Sequence, residues 1–196
     1  MNFKEFYNSN QKWVKSVLWL FGLSIIAGGA ATFYYPDLFE QITAAFADRF
    51  GEAPPLDSNL AQEIFIQNLT ASLMAWLGGL LLGFIPVIVV IVNGFILGYI
   101  CFYVITNSPS ILGSLVFLIA GLVPHAIFEL PAFLLAAVLG LNLGLNWIAP
   151  EAKGQRWGVF KQSIRTTSKY FVAVVILLAI AAYIEVFVSG ALINSV

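Results

Sequence analysis

His125 is the only histidine in the chain, and Glu129 follows it by four residues. Residues so spaced stand on one face of a helix. An imidazole and a carboxylate there can exchange a proton, share a cation or hold each other by hydrogen bonding. Both lie in a long stretch, Ser110 to Ala149, whose only formal charge is Glu129. Glu185 is the second acid set deep in an apolar run, and Asn68 and Asn93 are the mid-span amides. A zinc site would draw two ligands from His125 and Glu129, with Glu185 and Asn68 or Asn93 the available third and fourth donors. The His-Glu-x-x-His motif of zinc proteases is absent, as are a Gly-x-Ser-x-Gly element and a phosphate loop. Cys101 is the lone cysteine, which excludes a disulfide framework and a cysteine zinc site.

The rest of the chain explains why such residues matter. Of 196 residues, 60% are hydrophobic and 10% charged, and mean hydropathy is +0.92. Soluble domains carry about 25% charged residues. So few charges cannot cover a water-facing surface, which excludes an ordinary soluble enzyme, a disordered chain and a nucleic-acid binder. The apolar runs are continuous and do not alternate, so the class is all-α, a polytopic membrane helix bundle forming one domain over residues 1–196.

Five crossings are expected. The apolar runs are Ser16–Tyr35, Leu60–Phe84, Pro86–Ile105, Ser110–Ala149 and Tyr170–Gly190. The basic start and Ala27-Gly28-Gly29-Ala30-Ala31 imitate a signal peptide, but the run is read as a retained span. Between the first two runs, Phe39, Ile42 and Phe46 predict a short surface helix, followed by a turn at Pro54-Pro55. A second turn is expected at Gly83-Phe84-Ile85. The fourth run would be about 60 Å long as a helix, twice the hydrocarbon core of about 30 Å. One discontinuous helix is therefore expected, broken near Gly121 and Pro124, with Pro131 kinking its second half and Gly140 and Gly144 loosening its end.

Charge placement gives orientation. Lys4, Lys12 and Lys15 precede the first run; Lys153, Arg156, Lys161, Arg165 and Lys169 precede the last. Basic loops stay cytoplasmic. Residues 1–15 and 150–169 are thus expected in the cytoplasm, the acidic loop 36–59 outside, and the C-terminus outside, in the cell membrane. Residues 152–169 read as a separate amphipathic helix lying on anionic lipid.

Small residues recur every four positions: Ala71, Ala75, Gly79, Gly83; Gly94 and Gly98; Ala132, Ala136, Gly140, Gly144. Such stripes are where membrane helices pack. Glu129 rides on the third stripe, which turns it inward. A charge at the bilayer centre costs about 2.5 kcal/mol or more, so it needs a partner. Counted along a broken segment, depth brings Asn93 to His125 and Glu129, and leaves Asn68 for Glu185. The cluster is either a hydrogen-bond network that fixes helix register or an ion, proton or metal site.

Taken together, Asn68 in Ile-Phe-Ile-Gln-Asn-Leu, Asn93-Gly94-xxx-Gly98, Leu122-Val-Pro124-His125-Ala-Ile-Phe-Glu129-Leu-Pro131-Ala132, Gly140-Leu-Asn-Leu-Gly144 and Glu185 resemble the stage II sporulation protein M family of integral membrane proteins. Ala126 stands where that pattern leads one to expect glycine. The resemblance implies a scaffold: the sporulation member recruits a peptidoglycan-degrading complex to the membrane that engulfs the forming spore. Relatives in organisms without spores mean that this role need not transfer. The expectation is a non-enzymatic assembly component, with itself or other membrane proteins as partners and no cofactor. The alternative is a small ion, proton or metal transporter or channel using the polar residues; an intramembrane metalloenzyme that keeps zinc or another cation is the third reading.

Overall fold

The computed structural model describes residues 2–50 and 55–193, and every regular element among them is helical. Helix α1 spans Phe3–Ala31, with a kink at Asn10. Helix α2 is Leu38–Phe50 and α3 is Ser58–Leu77. Helix α4 is Phe84–Asn107, α5 is Ile111–Leu145 and α6 is Arg156–Ile184. A π-turn over Glu185–Ser189 joins α6 to the last short helix, α7, Gly190–Ile193. The local signals at the starts are ordinary ones. Asn2, Asp57 and Ser110 each accept a backbone N–H of the following turn, capping α1, α3 and α5.

Helix directions follow from the side-by-side contacts. Gly94 meets Phe21 and Ser24, and Gly98 meets Ile25, so α4 runs parallel to α1. Gly140 meets Ala75, and Gly144 meets Gly79, so α5 runs parallel to α3. The Phe21 and Phe133 rings face each other at 6.3 Å, and Asn142 donates to Asn10, which sets α5 antiparallel to α1. Trp76 stacks on Phe171 and Leu56 lies at Gly190, which sets α6 antiparallel to α3. Helices α1, α4 and α6 therefore point one way, and α3 and α5 the other. Four of these, α1, α4, α5 and α6 extended to Leu192, are long and apolar enough to cross a membrane. The return leg α3 has 20 residues and carries Glu63, Gln67 and Asn68. The N-terminus and the link before α6 share one end: Trp13 donates to Asn146 at 2.9 Å, and Tyr170 to the Asn2 carbonyl at 2.8 Å.

The core lies where α5 meets its neighbours. Leu139, Leu143, Val174, Leu178, Val17 and Val90 are fully buried there. Along α5, Ala136 to Gly144 are all buried, whereas Leu115, Val116, Phe117 and Ile119 are exposed. Gly140 and Gly144 do not loosen the end of α5; they seat it. A Cβ on Gly79 or Gly140 would strike the backbone of the facing helix. Beyond α1, the amphipathic α2 touches the bundle, among its described side chains, through Phe39, stacked on Tyr103 of α4 at 4.0 Å. Tyr99 anchors the chain before α2 by donating to the Tyr35 carbonyl at 2.6 Å.

Several expectations need correction. Helix α5 does not break near Gly121 and Pro124, and it stays helical through Pro131. Proline costs a helix one hydrogen bond, and in membranes neighbouring groups can satisfy the carbonyl it frees. Tilt would remove the length conflict. Thirty-five residues make about 52 Å, and a bilayer with its headgroups is about 40–45 Å thick, so a tilt of roughly 30° accommodates the helix. Residues 152–169 are not a separate helix lying on the surface. Pro150–Ala152 form a single 3-10 turn, and from Arg156 the basic segment is continuous with the last span. No residue between 156 and 184 breaks the ladder. The turn before α4 lies at Leu81–Gly83, with Leu82 at φ 54° and Gly83 at φ 76°, two residues earlier than expected. Glycine takes that left-handed geometry without steric cost. The turn expected at Pro54-Pro55 includes Pro54, which lies outside the described residues.

Candidate functional site: an intramembrane His-Glu-Glu cluster

Because α5 is unbroken, His125 and Glu129 stand one turn apart on a single face. His125 Nε2 lies 4.0 Å from Glu129 Oε2. The antiparallel α6 brings up the third member. One ligand atom from each of His125, Glu129 and Glu185 lies within 4.8 Å of the other two. The π-turn matters locally. It starts at Glu185 and ends at Ser189, and both reach side chains of α5, Glu185 at His125 and Glu129 and Ser189 at His125. Ser189 Oγ is 3.3 Å from His125 Nδ1, and Ser189 is buried. π-turns inside α-helices are rare and recur at functional sites. Toward α3 the next face of α6 is sealed, with Ala182 and Val186 packed on Leu60 and Ile64.

The remaining predicted residues go elsewhere. Asn93 does not join His125 and Glu129. It is exposed, and its amide donates to the Val89 carbonyl at 2.8 Å. It lines a cleft between α3 and α4 with Gln67, Thr70 and Met74. The physical reason is direction and not depth. His125 lies about 21 Å from the start of α5 and Asn93 about 21 Å from the adjoining end of α4, but Asn93 faces the α3 side of its helix whereas His125 faces Ser189 beyond α6. Asn68 is half-buried on α3, and Glu185 has His125 and Glu129 as its polar neighbours instead. Gly121 and Pro124 are interior positions of α5, and Pro131 is an exposed one.

Two features escaped the sequence reading. Ser189 was visible as the i+4 neighbour of Glu185, but nothing distinguished it from a packing serine. At the opposite end, Asn142 of α5 donates to Asn10 of α1 at 2.5 Å, both buried. These two amides line a cleft of about 520 Å³ together with Asn146, Glu5, Arg165 and Lys169. Its signal, an amide inside each of two apolar or amphipathic helices, has no fixed spacing.

Chemically, the His-Glu-Glu arrangement offers one imidazole nitrogen and two carboxylates on rigid helices. Two carboxylates this close repel unless a proton or a cation lies between them. With Nδ1 engaged by a hydroxyl, Nε2 is the nitrogen turned to the carboxylates.

A comparison of the chain with protein-family models matches the stage II sporulation protein M model over residues 17–190. No curated protein and no solved structure matches the chain. With most of its length matched and apolar helices fit to cross a bilayer, this chain is a membrane protein that belongs to the stage II sporulation protein M family.

Proposed function

We propose that the protein is a non-enzymatic assembly component of the cell membrane, presenting a docking element on the outer side. The observation that carries this reading is α2. Its 13 residues stand at the end opposite the N-terminus, meet the bundle through the Phe39–Tyr103 stack, and display Glu40 and Asp48 to solvent. An amphipathic helix fixed to a bundle at one side is suited to receive a partner. The orientation rests on the basic residues. Lys4, Lys12 and Lys15 share one end of the bundle with Lys153, Arg156, Lys161, Arg165 and Lys169. By the positive-inside rule that end is cytoplasmic, and the C-terminus is outside. There the exposed side chains of α6 meet anionic headgroups, with Trp157 under the Lys161 ammonium at 5.2 Å.

A single experiment tests dock and orientation together. In a Cys101→Ser background, Glu40→Cys is treated on intact cells with a membrane-impermeant thiol cross-linker. The expected result is reaction from outside and a discrete cross-linked species, with itself or another membrane protein. Labelling only after permeabilisation would reverse the orientation; labelling without any cross-linked species would remove the dock.

The second reading, a small ion or proton transporter, is favoured by the intramembrane cluster. It requires ion flux in protein-containing liposomes that is lost in Glu129→Gln, whereas the assembly reading requires none.

A further inference from the structure

We propose that His125, Glu129 and Glu185 are the protein ligands of a first-row divalent metal ion held between α5 and α6. The inference does not depend on the assembly reading. Three observations carry it. The donor atoms converge within 4.8 Å from two separate helices, so the grouping is a product of the fold and not of local sequence. His125 Nδ1 is engaged by Ser189 at 3.3 Å, the outer contact that orients ligating histidines. Glu185 and Ser189, the third ligand and that outer contact, are the two ends of one π-turn, and both lie against α5 side chains.

The chemistry selects the ion. One imidazole nitrogen with two carboxylate oxygens suits zinc, manganese, iron or cobalt. Calcium takes six to eight oxygens, and magnesium holds mostly water, so neither suits a histidine site with three ligands. The charges balance: two carboxylates and a neutral imidazole cancel a divalent ion. A neutral assembly is what an apolar surrounding tolerates, while each carboxylate alone would be costly there. At a tetrahedral zinc the donor atoms sit roughly 3.4 Å apart, so closure from the separations found needs about an ångström of side-chain movement. With three protein ligands, a fourth position stays open.

The test uses full-length protein carrying a tag without histidines, in lipid nanodiscs, stripped with chelator and titrated with zinc sulfate or cobalt chloride. The expected result is one equivalent bound. Cobalt should give the visible bands of a four-coordinate N/O site. Glu185→Gln and His125→Gln should each weaken binding by about 100-fold or more, while exposed Glu63→Gln changes nothing. Ser189→Ala should weaken it by about 10- to 100-fold and shift the cobalt bands, with Ser189→Thr restoring both. Gel filtration of each variant establishes folding. Where a variant does not fold, zinc-edge X-ray absorption on the unsubstituted protein decides, through the presence or absence of one imidazole among light ligands. A folded protein that takes up no stoichiometric metal overturns the proposal and leaves a cluster held by protons. Unaltered binding in both Glu185→Gln and His125→Gln overturns it as well.

Discussion

Gly79→Leu and Gly140→Leu are each expected to prevent the bundle from reaching its packed state. Gly79 faces Gly140 and Gly144, and Gly140 faces Ala75, with backbone against backbone. A Cβ at either position has no room, and the atoms it meets are carbonyls, which cannot rotate away. Overpacking a core with a few methylenes costs about 1–3 kcal/mol and occasionally more. Here α3 and α5 must separate along their whole seam, so the loss should exceed about 3 kcal/mol. Leu81→Ala, on an exposed residue, should stay within about 0.5 kcal/mol. Melting in detergent solution compares them. Equal effects from all three variants would remove the seam from the account.

The second large effect is expected at the buried amide pair. Asn142→Ala should cost about 1–3 kcal/mol, because it leaves Asn10 desolvated with less than its full set of partners. Asn10 would keep only its bond to the Phe6 carbonyl at 2.9 Å, made across the kink of α1. Asn10→Ala should cost a similar amount. The double variant should cost clearly less than the two together, since neither amide is then left orphaned. Simple additivity in a double-mutant cycle would mean that the two amides are not coupled.

Much of this arrangement could be read from residues because membrane physics makes sequence explicit. Continuous apolar runs locate the legs, and the Ala75–Gly79 and Gly140–Gly144 stripes meet each other as small-residue faces do. The partner of Gly94 and Gly98 was less visible. It is α1 at Phe21, Ser24 and Ile25, with Gly28 against Phe95 and Tyr99, and its Gly28-Gly29 pair looks from sequence like a cleavage site. The continuity of α5 was not legible. Proline is a strong breaker in water, but tilt and neighbouring groups let a membrane helix carry it, and neither is written in the local sequence. Depth along α4 and α5 does not separate His125 from Asn93; the faces they present do, Asn93 toward α3 and His125 toward Ser189 and Glu185. His125 and Glu129 were secure because helical spacing alone pairs them. The third member depended on the register between α5 and α6, which only packing decides.

The most direct measurement of that register is proximity between the two helices. In a Cys101→Ser background, His125→Cys with Ser189→Cys should be bridged efficiently by a thiosulfonate reagent spanning about 5 Å, since the native side chains approach to 3.3 Å. Asn93→Cys with His125→Cys should not be bridged. The reverse pattern, a bridge to position 93 and none to 189, would contradict this register and the His125–Glu129–Glu185 cluster with it.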